Sequence, residues 1–323
     1  MRVLVTGGAG FIGSSVVYLL LGSGWDVGIV DDLSTGKVEN VHPRAWFRRL
    51  DILDPSFAAL VLEFAPDAVV HLAAQASVAA SIRDPERDWA VNAEGTKRVA
   101  AAAAEAGATR VLSASSAAVY GNPATLPLPE SAPTEPLSPY GRSKLEAERL
   151  LARELDGTAV DFGSLRFANV YGPRQDAAGE GGVVALFLDA IAHAREPVIY
   201  GDGHQTRDFI YVADVASAIH AALESEARLG RADTLSPMGG PDGGGLGAYN
   251  VSTGTETSVN RLTDHIRAAT RYGGVFPHAP AREGDIARST LDPAKAARVF
   301  GWRATVPLER GLAATWRWFS AES

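Results

Sequence analysis

Short hydrophobic runs alternate with longer stretches of helical spacing through the first half of the chain, and the run ends carry glycine, acid or hydroxyl residues. Arg2-Val-Leu-Val-Thr6 reads as a buried strand, Gly7-Gly-Ala-Gly10-Phe-Ile-Gly13 as a tight turn, and the apolar positions through Leu21 as a helix. Asp26 to Val30 is a second strand that ends at Asp31-Asp32. Ala45 to Leu50, Asp67 to Leu72, Arg110 to Ser116 and Val160 to Phe167 repeat the strand pattern, and Ala90 to Ala106 predicts an alanine-rich helix. The second half is less regular. Helices are expected over Val183–Ala194, from Asp214 to about Ser225, around Pro293–Phe300 and over Leu308–Phe319, with short strands at Val198–Tyr200 and Phe209–Val212. Residues 226–247 are glycine-rich without apolar periodicity and read as a surface loop. No internal repeat is present.

Strands alternating with helices predict an α/β protein: a Rossmann-type doubly wound parallel sheet, followed by a smaller mixed α/β C-terminal unit for substrate. The expected division places residues 1–168, with part of 208–225, in the first unit and 169–323 in the second. Ligands of such sheets bind outside the carboxyl ends of the strands, and Gly7, Asp31, Asp51, Ala73 and Ser116 all fall at such ends.

Composition narrows the classes of partner. The chain has 323 residues, 46% hydrophobic with mixed charge, which describes a folded globular protein. A net charge of −8 gives no basic field for nucleic acid, so an anionic ligand must be held by local arginines. Cysteine is absent, which excludes disulfides and thiolate metal sites; His71, His193, His204 and His278 lack metal-ligand spacing. No run of about twenty apolar residues predicts a membrane span. A strand that begins at Arg2 leaves no room for a signal peptide, so the cytoplasm is the expected location.

Two patterns carry chemistry. The glycine turn joins a strand to a helix, where backbone N–H groups and the helix dipole favour a pyrophosphate. Asp31 ends the following strand at the distance expected of an acid that accepts from both ribose hydroxyls, and it would repel a 2′-phosphate, so NAD is expected over NADP. The second pattern is Ser138-Pro-Tyr-Gly-Arg-Ser-Lys144, which sets Tyr140 and Lys144 on one face of a helix. A phenol titrates near pH 10, and lowering that by three units takes roughly 4 kcal/mol, part of which a neighbouring ammonium can supply.

Together these segments resemble the extended short-chain dehydrogenase/reductase superfamily, and within it the nucleotide-sugar 4-epimerases of the UDP-glucose type. The resemblance spans nearly the whole chain. It rests on TGGAGFIG at 6–13, DDLSTG at 31–36, HLAAQ at 71–75, SSAAVYG at 115–121, YGRSK at 140–144, RFANVYGPRQ at 166–175, GDGHQTRDFIYVAD at 201–214, YNVSTG at 249–254 and REGD at 282–285. It implies Tyr140 as acid/base, Lys144 as the group that lowers its pKa and holds the nicotinamide ribose, and Ser116 as hydrogen-bond partner of the reacting sugar hydroxyl. For the cofactor, NAD, it implies Gly7, Gly10, Phe11, Ile12 and Gly13 around the pyrophosphate and Asp31, with Asp32, Ser34, Thr35 and Gly36, at the adenosine ribose. Asp51 and Ile52 would meet adenine, Ala73, Asn92, Ala114 and Phe167 would line the nicotinamide side, and Leu72, Ala74 and Gln75 would also bind the cofactor. Asn169, Val183, Tyr200, Arg207, Arg282 and Asp285 would hold the sugar nucleotide. Each arginine has a plainer alternative, Arg207 pairing with Asp208 and Arg282 with Glu283. The relatives also imply a homodimer built from the helix before the serine strand and the Tyr140 helix, with close approach permitted by the alanines of 100–106.

Ser116 is followed by Ala117 and Ala118, where related dehydratases carry an Asp-Glu pair and decarboxylases a Glu; alanines move no proton. Oxidation and its reversal at one carbon is therefore the expected chemistry. UDP-glucose/UDP-galactose is the first expected substrate pair and UDP-glucuronate the second, with Arg174 or Arg288 available to a carboxylate. N-acetylated sugars are third, because Ser289 falls where a bulky tyrosine restricts some relatives. A non-catalytic dinucleotide-binding sensor or scaffold is the alternative of another class.

Overall fold

The computed structural model describes residues 1–177, 182–230, 247–281 and 286–322. Its strands are β1 (Arg2–Thr6), β2 (Asp26–Asp31), β3 (Trp46–Arg49), β4 (Ala68–His71), β5 (Arg110–Ser116), β6 (Asp161–Phe167), β7 (Asn169–Tyr171), β8 (Ile199–Tyr200), β9 (Thr206–Arg207), β10 (Phe209–Tyr211), β11 (Ala248–Val251), β12 (Thr257–Ser258) and β13 (His278–Ala279). Its helices are α1 (Phe11–Gly22), α2 (Phe57–Phe64), α3 (Val78–Arg83), α4 (Pro85–Trp89), α5 (Gly95–Glu105), α6 (Pro139–Leu155), α7 (Val183–Ala192), α8 (Val212–Glu224), α9 (Val259–Thr270), α10 (Ala294–Phe300) and α11 (Leu308–Glu322).

Seven strands form one parallel sheet in the order β11-β6-β5-β4-β1-β2-β3. This is the doubly wound order, with chain direction reversing across the sheet between β1 and β4. Alternation along the strands feeds two cores. Val3 and Val5, Val27 and Ile29, and Leu165 and Phe167 face α1 and α8; Leu4, Val30 and Phe162 face α2 and α5. Both faces being covered explains why these strands read as continuous apolar runs. A third core, with Phe187, Leu188, Phe209, Leu262, Ile266 and Leu312, joins α7, α9 and α11 in the second half.

The edge strand β11 pairs with β6 through Ala248↔Ser164 to Val251↔Phe167. It comes from residues that the expected division at 168 assigns to the other unit, and α10 packs on the same core through Ala296. The single helix expected over 90–106 is instead a wide, π-type turn at Ala90–Glu94 between α4 and α5. Most of the glycine-rich stretch lies outside the described residues. Ala100, Ala102 and Ala103 of α5 are buried in their own core, so these alanines serve helix–sheet packing.

The helix bearing Tyr140 and Lys144 is fixed at several points. Ser138 Oγ accepts from Gly141 N at 3.0 Å and Pro139 occupies the first turn, where its missing N–H costs nothing. A Cβ at Gly141 would come within 2.7 Å of Ala118 O, so only glycine lets the helix start dock on the segment after β5. Two turns along, the buried carboxylate of Glu148 accepts from Arg166 Nε at 2.9 Å and Nη2 at 2.6 Å, and from Ser115 Oγ at 2.5 Å. Arg166 is completely buried and also donates to Tyr120 Oη at 2.8 Å. Glu148→Ala should therefore strand a buried guanidinium and lower unfolding free energy by about 3–5 kcal/mol in urea denaturation, while the paired change to Glu148→Leu with Arg166→Met should cost much less.

Candidate active site

The glycine turn between β1 and α1 makes the first wall. Gly7 has φ of 71°, and an added Cβ there would meet Ala73 N at 2.6 Å. A Cβ at Gly13 would lie 2.0 Å from Gly7 O, so the backbone closes on itself only because both side chains are absent. Gly10, Phe11 and Ile12 open α1 with no side-chain cap, leaving its first N–H groups to a ligand. Asp31 ends β2, 6% exposed, and its carboxylate accepts from Ala9 N and Leu33 N, each at 2.9 Å. Burial pushes this carboxyl up, against the pull of those two N–H groups. Gly36 stands where a Cβ would be 2.6 Å from Asp31 Oδ1, which brings the 31–36 loop against the acid. Asp32 Oδ1 accepts from Ser34 N and Oγ, at 2.9 and 2.6 Å; Ser34 and Thr35 are exposed. A glycine cradle at a helix start with a buried acid at the next strand end is the donor and acceptor set that an NAD pyrophosphate and ribose require.

Around this wall the other expected residues separate into those that reach the cleft and those that brace it. Asp51 is exposed and accepts from Leu53 N at 2.9 Å; Ile52 is buried in the core below α5. Leu72, Ala73 and Ala74 are half-buried at the end of β4. The side chains of Gln75 and Asn92 turn to each other's neighbourhood: Gln75 N donates to Asn92 Oδ1 at 2.9 Å, and Asn92 Nδ2 donates to Gln75 O at 3.0 Å and Ser143 Oγ at 3.1 Å. His71 is buried between Thr6 Oγ1 at 2.7 Å and Thr96 Oγ1 at 3.1 Å. Burial and then the Lys144 charge push it down to about 3, so it stays neutral.

Lys144 is 6% exposed and donates to Ala114 O at 3.0 Å. Burial pushes its ammonium down to about 8, opposed by Asp88 and Glu148. Tyr140 is half-buried one turn earlier on the same helical face. Ser116 closes β5, with its Oγ accepting from Ala118 N at 3.1 Å, and Phe167 lies opposite it in register on β6. The strand ends thus gather Gly7, Asp31, Ala73, Ser116 and Phe167 along one edge of the sheet.

On the other side, Asn169 is exposed on β7 and Val183 opens α7. Tyr200 on β8 is 40% exposed. Arg207 on β9 donates to Ile286 O at 2.6 Å, while the carboxylate of Asp208 is taken up by Thr253 and Gly254. Arg282 and Asp285 lie outside the described residues. Arg288 makes a two-bond fork with Glu256, both at 2.6 Å, and Arg174 lies over the Tyr18 ring at 4.7 Å. Among the described residues no cluster of His, Asp or Glu could hold a metal ion.

Residues 3–234 match the family described as NAD dependent epimerase/dehydratase family. The chain belongs to this family. It is 42% identical over 329 residues to the UDP-glucose 4-epimerase of Mycolicibacterium smegmatis, covering 100% of both chains. It is also similar to the crystal structure of UDP-glucose 4-epimerase with UDP-glucose from Thermotoga maritima, with a TM-score of 0.90, 37% identity and coverage of 100% and 99%. A third likeness is to UDP-N-acetylglucosamine 4-epimerase from Methanobrevibacter ruminantium in complex with UDP-N-acetylmuramic acid, with a TM-score of 0.90, 33% identity and the same coverage. The members of this family are NAD-dependent, and the cradle described above fits that cofactor.

Sequence reasoning missed Asp88, Glu148 and Arg166. The signal for Glu148 was its i+4 spacing from Lys144; Arg166 sits between Leu165 and Phe167 in a wholly buried strand, where a charge needs a partner. Gly13→Ala must push the Gly7 carbonyl aside, so it should lower the thermal unfolding midpoint of the unliganded chain and cost on the order of 1.4 kcal/mol or more of NAD affinity in titration calorimetry, a tenfold loss.

Proposed function

We propose that this protein is an NAD-dependent UDP-hexose 4-epimerase with UDP-glucose and UDP-galactose as its first substrate pair. The observation that carries the reading is the joint placement of Ser116, Tyr140 and Lys144 at the sheet edge, followed by proton-inert Ala117 and Ala118. Bound NAD⁺ supplies the hydride acceptor for C4 and the donor for its return. Tyr140, as phenolate, takes the O4 proton, and Ser116 hydrogen-bonds O4. Lys144 stabilises the phenolate by its charge. The 4-keto sugar turns over while Arg207, with Arg282, holds the diphosphate; Asn169, Val183, Tyr200 and Asp285 complete the nucleotide side. Tyr140 then returns its proton, and no net oxidation results.

Contacts of three further residues bear on the order of the remaining substrates. Arg288 is engaged by Glu256 and Arg174 by Tyr18, which weakens the glucuronate reading. Ser289, half-buried and small, favours N-acetylated hexosamines as the second substrate class. The proposal includes a cytoplasmic location, in keeping with a chain that has no cysteine. It also includes a homodimer through α6, with the second element moved from the expected α5, whose Ala100, Ala102 and Ala103 are buried in their own core, to α3 and α4. Val78, Ile82, Trp89 and Leu137 expose apolar surface there; Trp89 and Leu137, with Arg142, Glu146 and Arg149, line a cavity of about 550 Å³, a mixture of apolar and charged groups able to meet its own copy.

A panel of UDP-hexoses, UDP-N-acetylhexosamines and UDP-glucuronate, with products separated after incubation, tests the substrate order; UDP-glucose left unchanged would overturn it. Tyr140→Phe should lower kcat by about 10²-fold or more while UDP-sugar binding stays within a few-fold. Sedimentation velocity should give twice the chain mass, and Trp89→Asp with Leu137→Asp should give the monomer.

A further inference from the structure

Lys144 must stay an ammonium in a place that water does not reach, and the charged groups around it are few. From its own helix comes Glu148, already held by both nitrogens of the Arg166 fork. From β4 comes His71, which is neutral, and from the preceding turn the phenol of Tyr140. From α4 comes Asp88, which is 1% exposed.

Asp88 differs from Glu148 in its partners. One oxygen, Oδ1, accepts from Gln75 Nε2 at 2.6 Å and from Asn92 Nδ2 at 3.2 Å. The other, Oδ2, is buried without a hydrogen-bond partner, and no ion pair to Asp88 is formed among the described residues. Asn92 in turn reaches Ser143, the neighbour of Lys144, and sits in the wide turn at 90–94 that redirects the chain between α4 and α5. Such turns recur at functional sites because they re-aim one side chain. A buried carboxylate with neutral partners only is costly unless a cation faces it. α4 packs on α6, and the Asp88 charge favours the Lys144 ammonium against the effect of burial.

We propose that Asp88 is a positioning residue for the reaction: through the Gln75–Asn92–Ser143 knot it fixes the start of α6, and its carboxylate, with Oδ2 left unpartnered, is the buried anion that faces Lys144 from α4. It touches neither substrate nor cofactor. This rests on the proposed roles of Tyr140 and Lys144, and its direct readout is the lysine itself, independent of turnover.

The chain has four lysines, Lys37, Lys97, Lys144 and Lys295, so ε-¹³C-lysine labelling gives four resonances. Lys144→Met identifies the one of interest. Asp88→Asn preserves an acceptor at Oδ1 and removes the charge, setting an NH2 where Oδ2 stands. In it the Lys144 midpoint should fall by about one unit relative to the native chain, because the ammonium loses its counter-charge. The pH profile of kcat should move toward acid on its alkaline limb, with a lower maximum and an NAD affinity that stays within a few-fold. Asp88→Ser is the second variant, and Asp88→Glu should restore part of the midpoint. A midpoint unmoved in either folded variant overturns the proposal. So does failure of both variants to fold, which would make Asp88 a core residue alone. Loss of UDP-sugar turnover by the native chain, with the midpoint shift intact, would instead strike at the proposed function.

Discussion

Folding takes the Lys144 ammonium out of water and returns to it a hydrogen bond that it donates to Ala114 O, together with the fields of Asp88 and Glu148. Its fall from 10.5 to about 8 corresponds to on the order of 3 kcal/mol of disfavoured charge. The surrounding structure is arranged to tolerate that cost. The cap at Ser138, the docking of Gly141 on Ala118 and the Glu148–Arg166 fork all fix α6 against the ends of β5 and β6. The ammonium is tied to Ala114 O on a helix fixed in this way, one turn after the phenol of Tyr140. The same fixity explains why an entire helix, and not a loop, bears the two groups: their spacing follows from backbone geometry and costs no side-chain search.

Buried carboxylates recur as joints elsewhere. Asp208 gathers Thr253 N, Thr253 Oγ1 and Gly254 N, which fastens the strand after β9 to the turn after β11. Burial pushes it up to about 6. Asp214 accepts from Thr305 N and Val306 N, both at 3.0 Å, and ties α8 to the segment before α11. Each joins chain regions far apart in sequence.

How much of this could be read beforehand follows from range. The strands β1 to β6 were legible because a parallel strand buried on both faces writes its pattern locally, and the glycine turn and Asp31 because their spacing reflects one strand–turn–helix unit. Tyr140 and Lys144 were legible from one helical turn. Other features were not. β11 is four residues long and identifiable only through its pairing with β6. α9 was missed although Ser258 caps it and Val259, Leu262 and Ile266 form its buried stripe. The wide turn at 90–94 has no signature in a helical pattern, and it alone explains why Asn92 faces Gln75 and Ser143. Arg166 and Glu148 lie eighteen positions apart, and only the packed sheet brings them together.

Because β11 is supplied so late, the sheet is finished only when residues beyond 247 have arrived. Until then the open edge of β6 carries unsatisfied N–H and C=O groups next to Phe162 and Leu165. A nascent or proteolysed piece ending before that point would hold most of a dinucleotide fold yet present a sticky seam to any extended peptide. The chain therefore cannot be divided by a simple cut into a cofactor half and a sugar half, and a shuffled or shortened version has to keep its distant edge strand to remain soluble.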